Sequence, residues 1–507
     1  MVEPLNGPSF KRDRLREIEK EAQDLWVANK FNESEPDSNP KKFFVNYPLP
    51  EMNRKLLLGD AFTLSKCEFM IRQKRLKGYN TLWPISFHGS GLSITKAAEK
   101  LKREFEMFGE GIFEWADKQQ DELNKPKHKE LNLSIVTKLR MIGIPDRQIH
   151  LFKDPNHWLT YYSQAAIKDL QSLGIMVDWR RSFLTTDINS YYDSFIKWQF
   201  HHLKEKGKIL FVKKQTIWSP IDGQPINDYD RLKGEGVVPQ EYTLIKLGCL
   251  ELPGKLDILK DKKVFLVAAT LRPETIYGPT NCFVLPTGKY GCFEMKNDEV
   301  WITSEQAARN MAYQGLTKVD ESWNSILDVT GEDLIGLPLK APLSFYDKIY
   351  VLPKLNLNMS KCTGISISVP SENPEDWIAF KDLKSNAEFR KKFKIKDEFV
   401  FPFDPVPIIE VDEVGTFIGI KACEQFGVER LSDKSKIETA KQFAYLKSYS
   451  QGKLAIGEFK GNNIAEVKAT IKAKLINSGE ACIYYEPEQE VVSRSGSKNA
   501  VNFVKRM

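Results

Sequence analysis

The sequence lacks the patterns that mark secreted and membrane proteins. Its seven cysteines lie far apart and form no C-x-x-C pair, which argues against a zinc ribbon and against a secreted disulfide framework. No apolar run approaches the roughly 18 residues that a membrane-spanning helix requires. Residues 10–30 contain acidic side chains, which signal and transit peptides avoid. These absences predict a cytoplasmic protein that has no membrane partner.

The sequence also has no internal repeat and no low-complexity tract. Its 507 residues allow three or so domains with ample core. The net charge of +6 suits a polyanionic partner, but a solvated basic surface without a partner would have the same composition.

The first part of the chain has the pattern of an α/β domain. An apolar strand at 43–47, a helix at 59–77 and a strand at 80–85 predict a βαβ unit with parallel strands. The next region is predicted to be mostly helical, before the sheet resumes and an aromatic-rich helix follows. These later segments are the helical region 92–175 with a polar break near 118–129, the strand 178–183 and the helix 191–206.

Short β-runs broken by Gly and Pro begin near residue 241 and continue to about residue 455. This change of texture predicts a second domain. A helix at 463–478 and a strand at 481–485 are predicted to follow it.

One stretch in this second domain has the features of a ligand site. The apolar strand 264–269 leads into residues 270–278, T-L-R-P-E-T-I-Y-G. Hydroxyl groups and backbone N–H groups therefore cluster where a strand ends, a common way to form a pocket for a small polar ligand. An ordinary junction between a strand and a turn would show the same spacing.

A second stretch, residues 363–376, has a similar course. It runs as T-G-I-S-I-S-V-P-S-E-N-P-E-D from an alternating strand through a turn into an acidic helix start. Asp376 lies in that helix start. A carboxylate at such a position can have a purely structural role as a helix cap.

Together the two stretches resemble the editing pocket of a leucyl-tRNA synthetase of the cytosolic eukaryotic and archaeal type. The resemblance runs from about residue 10 to about residue 496, and any one of its segments alone would be weak. Other segments that resemble this family, in order, are 64–69, 100–104, 177–183, 191–195, 239–243 and 493–496.

The resemblance implies an α/β fold in three parts. Residues 1–240 would be the N-terminal part of a class I, Rossmann-type catalytic domain, and residues 241–488 an inserted, β-rich α/β editing domain. Residues 489–507 would begin the returning catalytic segment. The family is a leucine–tRNA ligase lineage that acts in translation.

The resemblance also assigns roles in the editing pocket, which needs no cofactor and would bind the 3′ end of tRNA(Leu). Asp376 would hold the ammonium group of the substrate, and Thr270 would position the attacking water. Thr275 would exclude leucine by shape, and Arg272 would contact the terminal adenosine or its phosphate. Two further residues, Tyr277 and Ile367, complete the expected substrate-binding set.

The adenylation site departs from the family pattern, in which a H-x-G-H segment stabilises the triphosphate of ATP, with Mg²⁺. Leu57 and Asp60 stand where the two histidines are expected, while Gly59 and the neighbouring His88 are retained. Asp60 would repel a phosphate by about 1–4 kcal/mol per charge pair at 4 Å. It could also be an ordinary helix-capping residue. We therefore expect this chain not to form leucyl-adenylate, so that its own aminoacylation is lost together with ATP binding.

The sequence stops at residue 507, soon after the segment 493–496. We expect the second half of the nucleotide-binding fold and the K-M-S-K-S loop to be missing. If the sequence is a fragment of a longer chain, the prediction that adenylation is lost rests on Leu57 and Asp60 alone. Two hypotheses follow. One is an aminoacyl-tRNA deacylase that edits mischarged tRNA(Leu). The other is a non-catalytic paralogue that senses leucine or binds a multi-synthetase or regulatory partner.

Overall fold

A computed structural model describes residues 10–89, 92–123, 133–220, 223–493, 500–501 and 503–507. The chain divides into two compact units, Met1–Val212 and Lys213–Met507. Among the described residues, no helix is both long enough and apolar enough to cross a membrane.

The first unit combines a small parallel sheet with helices. Strands β1 (Lys42–Phe44) and β2 (Asn80–Leu82) pair in parallel, with Lys42 opposite Asn80 and Phe44 opposite Leu82, and helix α2 (Leu58–Leu76) connects them. The predicted βαβ unit is therefore confirmed. The elements of this unit are α1 (Phe10–Ala28), β1 (Lys42–Phe44), α2 (Leu58–Leu76), β2 (Asn80–Leu82), α3 (Leu92–Phe108), α4 (Ile112–Leu123), α5 (Ile135–Met141), α6 (Asp146–Ile149), α7 (Pro155–Ser172) and α8 (Ser190–Glu205).

The prediction of a strand at 178–183 is wrong. A 3₁₀ turn, Trp179–Arg181, occupies that segment. The buried carboxylate of Asp178 accepts a hydrogen bond from Arg180 Nη2 at 2.8 Å and forms an ion pair with Arg181. In an extended strand, side chains three positions apart point to opposite faces, so the pairing of Asp178 with Arg181 fits a turn and not a strand.

The helical prediction for 92–175 is confirmed in the described part. The predicted polar break near 118–129 is helical as far as Leu123, and its remainder lies outside the described residues. The aromatic-rich helix is also confirmed, as α8.

The second unit is built on a ten-stranded mixed sheet, with the order β11-β9-β10-β7-β6-β12-β13-β8-β14 and β17 paired to β6. Its strands are β3 (Gln215–Ser219), β4 (Gln224–Pro225), β5 (Arg231–Lys233), β6 (Pro239–Cys249), β7 (Lys263–Thr270), β8 (Asn281–Val284), β9 (Lys289–Glu294), β10 (Glu299–Thr303), β11 (Ser325–Thr330), β12 (Pro338–Lys340), β13 (Ile349–Pro353), β14 (Ile365–Ser368), β15 (Ile409–Val411), β16 (Gly452–Leu454), β17 (Ala481–Pro487), β18 (Val491–Ser493), β19 (Ala500–Val501) and β20 (Phe503–Arg506).

Helices cover this sheet because its strands are apolar on both faces, and Leu266, Phe283 and Val351 are fully buried. The helices are α9 (Glu305–Tyr313), α10 (Gly331–Leu334), α11 (Pro374–Ser385), α12 (Ala387–Lys392), α13 (Ile418–Phe426), α14 (Lys434–Gln451) and α15 (Ile464–Asn477). The sheet and helices together confirm the predicted α/β fold class. The predicted strand 481–485 and helix 463–478 are also confirmed, as β17 and α15.

The predicted domain limits at residues 240 and 488 stay a prediction. The second compact unit begins earlier, at Lys213, because β20 pairs with β3 and β18 pairs with β5. Of the segment 493–496, only Ser493 lies within the described residues.

The N-terminus of α13 packs against the turn that precedes α11. Gly419 N donates to Ser371 O at 2.8 Å. A β-carbon built on Gly419 would lie 2.8 Å from both Asn373 N and the carbonyl carbon of Glu372. Real β-carbons do not approach backbone atoms so closely, so this contact requires glycine.

We expect Gly419→Ala to destabilise the second unit by about 1–3 kcal/mol, since the added methyl group must displace backbone. Urea denaturation would measure the change. Gly248→Ala is the matched control, because its β-carbon would lie at ordinary distances of 3.8 Å from the Phe265 ring and 3.9 Å from Lys340 O. Equal stability of the two variants would contradict the assignment.

Candidate functional site

The turn after β7 is organised by its own hydroxyl groups. Thr270 Oγ1 accepts a hydrogen bond from Arg272 N at 2.9 Å, and Thr275 Oγ1 donates to Arg272 O at 2.8 Å. Between them, Pro273–Tyr277 forms a 3₁₀ helix with proline in its first turn. Because Thr270 only accepts in this contact, its hydroxyl hydrogen is still available to a ligand.

Asp376 lies in the first turn of α11, whose N-cap is Asn373. The Asp376 side chain is 2% exposed. Its Oδ2 accepts hydrogen bonds from Val369 N at 3.2 Å and from Asn373 Nδ2 at 2.9 Å. Capping is therefore done by Asn373, and the carboxylate of Asp376 instead joins the helix start to the end of β14.

The turn after β7 and the start of α11 line one cavity of about 310 Å³. This volume lies at the lower end of the range for small-molecule sites. Five of the predicted residues line it: Thr270, Arg272, Thr275, Ile367 and Asp376. Residues that are distant in sequence are thus brought to one site.

Tyr277, the remaining residue predicted for this pocket, does not line the cavity. Its ring is buried on the far side of the turn, where a β-carbon on Gly457 would lie 2.7 Å from it. The positive φ of 79° at Gly457 and this close approach both require glycine.

Arg272 is held inside an ionic cluster in the cavity wall. Its guanidinium lies 3.2 Å from Glu274 Oε1, 3.3 Å from Glu372 Oε2 and 4.8 Å from the Tyr445 ring centroid. Ser448 Oγ donates to Glu372 Oε2 at 3.2 Å. Arg272 lines the cavity, but its charge is already compensated by protein groups.

Burial shifts the acid–base behaviour of both carboxylates in the wall. It raises the pKa of Glu372 to about 7, although Arg272 opposes this shift. Burial also raises the pKa of Asp376 above its usual value, while the nearby Lys354 lowers it. Within the described residues, Glu372 Oε1 is buried without a hydrogen-bond partner. The cavity therefore holds a carboxylate that titrates close to neutral pH.

The start of α2 holds Leu57, Gly59 and Asp60, which were predicted to be a degenerate adenylation site. Asp60 Oδ2 accepts from Leu57 N at 2.7 Å and lies 2.8 Å from Arg54 Nη1. The hydrogen bond from Arg54 holds the pKa of Asp60 below its usual value. Asp60 therefore satisfies a helix N-terminus in an ordinary way.

Gly59 makes no structural demand for glycine, since a β-carbon there would meet nothing within 4 Å. His88 lies in an isolated parallel bridge with Glu51, where its N–H donates to Pro50 O at 2.9 Å. Among the described residues, no group of three His, Cys, Asp or Glu side chains could hold a metal ion.

Three residues that the sequence did not single out are important to the cavity. Glu372 lies within the stretch 363–376, next to its turn, and this position in the sequence could have indicated it as a site residue. Lys354 directly follows the buried strand β13, where a lysine is unusual. Tyr445 lies on α14, far along the chain, and only the tertiary structure brings it to Arg272.

Cytoplasmic leucine–tRNA ligases match nearly the whole chain. The relative from Pongo abelii is 44% identical over 516 residues, covering 97% of this chain and 44% of the relative. Those from Dictyostelium discoideum and Arabidopsis thaliana are 41% and 42% identical over 97% of this chain. The chain spans about half the length of these curated relatives, 49% and 48% for the last two.

Solved structures that are similar to this chain include two leucyl-tRNA synthetase domains. GlLeuRS-CP1 is 35% identical, with a TM-score of 0.45, and the match covers 48% of this chain and 99% of that one. The cytosolic leucyl-tRNA synthetase editing domain of P. knowlesi is 26% identical, with a TM-score of 0.46, over 49% and 97% of the two chains. No family model matches the sequence.

The relatives that match nearly the whole chain are class I aminoacyl-tRNA synthetases. They are the cytoplasmic leucyl-tRNA synthetases, and this chain is homologous to the part of them that it covers.

We expect Glu372→Gln to flatten the pH dependence of stability between about pH 5 and pH 7. A carboxyl group whose pKa is raised in the folded state stabilises the fold while it is protonated. That stability is present below the unfolded pKa and is lost as the pH rises through the folded pKa, here about 7. The difference in unfolding free energy should be on the order of 2 kcal/mol across this window.

Thermal denaturation at a series of pH values would measure this effect. Glu375→Gln is the control with the opposite sign. Burial would raise the pKa of Glu375, but Lys354 and Lys441 hold it below its usual value. Its stabilisation is therefore lost on acidification. Parallel curves for the wild type and Glu372→Gln would contradict the assignment.

Proposed function

We propose that the cavity between β7, β14 and α11 hydrolyses the ester bond of mischarged tRNA(Leu). The observation that carries this proposal is the convergence of Thr270, Thr275 and Asp376 on one cavity of about 310 Å³. A buried carboxylate, hydroxyl groups and an apolar wall suit an aminoacyl ester, which has an ammonium group, a carbonyl group and a side chain.

Each residue has a defined task in the proposed reaction. Asp376 binds the substrate's ammonium group through a charge-assisted contact, which fixes the ester in the cavity. Thr270, which can still donate its hydroxyl hydrogen, orients the water or polarises the carbonyl. Thr275 limits the space for the side chain, so that leucyl-tRNA(Leu) is spared. Ile367 adds apolar wall, and Arg272 approaches the terminal nucleotide of the tRNA.

The first unit, we propose, does not activate leucine with ATP. At the start of α2, an apolar side chain and an ionised carboxylate stand where a triphosphate would need donors. The guanidinium of Arg54 is engaged in an ion pair with Asp60, at 2.8 Å, at this helix start. The residues present therefore do not fit a triphosphate, and no step of the proposed reaction uses ATP or Mg²⁺. We place the protein in the cytoplasm, as the names of its relatives suggest.

We expect the purified chain to deacylate isoleucyl- or norvalyl-tRNA(Leu) but not leucyl-tRNA(Leu). Asp376→Ala should reduce the rate by about 10- to 100-fold or more, since a hydrogen bond to a charged group is lost. Thr275→Ala should extend hydrolysis to leucyl-tRNA(Leu). Release of the labelled amino acid from tRNA would measure all three.

Asn356→Ala provides a control for Asp376→Ala, since Asn356 Nδ2 donates to Glu375 Oε1 at 3.2 Å and Asn356 does not line the cavity. Absence of hydrolysis by well-folded wild-type protein would refute the editing proposal. It would favour the alternative, a non-catalytic paralogue that binds leucine or a protein partner.

We expect no leucine-dependent exchange of pyrophosphate into ATP, and no saturable binding of Mg²⁺–ATP by calorimetry. Asp60→Asn removes the like charge and should, if anything, increase residual affinity for ATP. Saturable ATP binding by the wild type that is unchanged in Asp60→Asn would show that this helix start does not limit the site.

A further inference from the structure

Lys354 is a buried lysine behind the candidate ammonium-binding carboxylate. It follows β13, and its side chain is 5% exposed. Its Nζ lies 3.1 Å from Glu375 Oε1, 3.5 Å from Asp376 Oδ1 and 5.3 Å from the Phe283 ring centroid. Asp376 lines the cavity, whereas Lys354 does not. The lysine therefore approaches the carboxylate from the protein interior and leaves its cavity side open.

The charged groups around Asp376 come from several elements. On its own helix is Glu375, and Lys441 on α14 lies 3.4 Å from Glu375 Oε2. Tyr445 on α14 and Cys282 on β8 are the neutral titratable groups that face Asp376. Arg272 is engaged by Glu274 and Glu372. Among the described residues, Lys354 is thus the cation within ion-pair distance of Asp376.

This arrangement meets a requirement of ammonium binding. Only an ionised carboxylate attracts the substrate's ammonium group, but removal from water favours the neutral acid. A fixed cation on the protein side opposes that effect. Val369 N–H and Asn373 Nδ2 hold Oδ2, so Lys354 at Oδ1 completes the orientation of the group.

We propose that Lys354 is a positioning residue for the hydrolysis, and that its ammonium group keeps Asp376 ionised and oriented toward the cavity. This inference rests on the proposed editing function. It adds a residue that acts through Asp376 rather than on the substrate itself.

The test compares Lys354→Met and Lys354→Arg with the wild type. Lys354→Met preserves length and apolar packing but removes the charge, while Lys354→Arg keeps the charge. Lys246→Met is a matched control, because Lys246 is also buried, in an ion pair with Glu299 at 2.8 Å and next to the Phe265 ring. It does not line the cavity.

The first measurement is the single-turnover hydrolysis of isoleucyl-tRNA(Leu) from about pH 5.5 to pH 9. In Lys354→Met we expect the acidic limb of the pH–rate profile to move to higher pH by about one unit or more. Each unit of this shift lowers the hydrolysis rate at acidic pH by about tenfold. Activity should recover at high pH. Lys354→Arg should keep the wild-type profile, and Lys246→Met should lower the melting temperature without moving the limb.

The second measurement does not depend on hydrolysis. It follows the unfolding free energy against pH for the full chain, as wild type, Lys354→Met, and Lys354→Met with Asp376→Asn. Without the cation, the folded carboxyl group has a higher pKa, so stability should be lost more steeply as the pH rises. The added Asp376→Asn change should remove the part of this extra slope that belongs to Asp376, while the part that belongs to Glu375, which also faces Lys354, should remain.

The outcomes separate the two proposals. A Lys354→Met protein with unchanged pH limb and unchanged stability slope would overturn the role of Lys354, even if it were less stable. Absence of hydrolysis by the wild type would overturn the editing function, and the stability slopes would then decide alone whether Lys354 keeps Asp376 ionised.

Discussion

The desolvated carboxylate of Asp376 is the constraint on which the candidate site depends. Taking a carboxylate out of water is costly unless hydrogen bonds and an opposite charge replace the solvent. Here the replacements come from three places: the end of β14 through Val369, the helix cap through Asn373, and the end of β13 through Lys354. Each of these elements brings one polar group to the same carboxylate.

The same wall contains a second buried carboxylate with a different environment. Glu372 faces Arg272 and Ser448 through one oxygen, while its other oxygen has no partner among the described residues. Burial is thus less well compensated than at Asp376, where both oxygens are in contact with donors. As a consequence, Glu372 has a pKa of about 7, whereas the nearby Asp376 has the cation of Lys354 fixed behind it. Two acidic residues four positions apart acquire distinct properties from packing alone.

The start of α2 satisfies its structural requirements through contacts with residues that are close in sequence. Asp60 accepts from the Leu57 N–H group and pairs with Arg54, so the helix end is well stabilised. Local rules could predict this helix, since periodicity and an acidic first turn are sufficient. They failed at 178–183, where the chain forms a turn in which a buried carboxylate binds two following arginines. Alternating apolar character does not reveal such a pairing.

The sequence by itself determined the α/β class, the limits of most long elements, and five of the residues that line the cavity. It could do so because strand and helix periodicities are local, and because the two stretches around Thr270 and Asp376 resemble the editing pocket of the leucyl-tRNA synthetases. Only the tertiary structure showed that Tyr277 turns away from the cavity, or that Lys354, Glu372 and Tyr445 belong to its ionic surroundings. Burial and ion pairing depend on residues that are far apart along the chain, and no local pattern records which of them will meet.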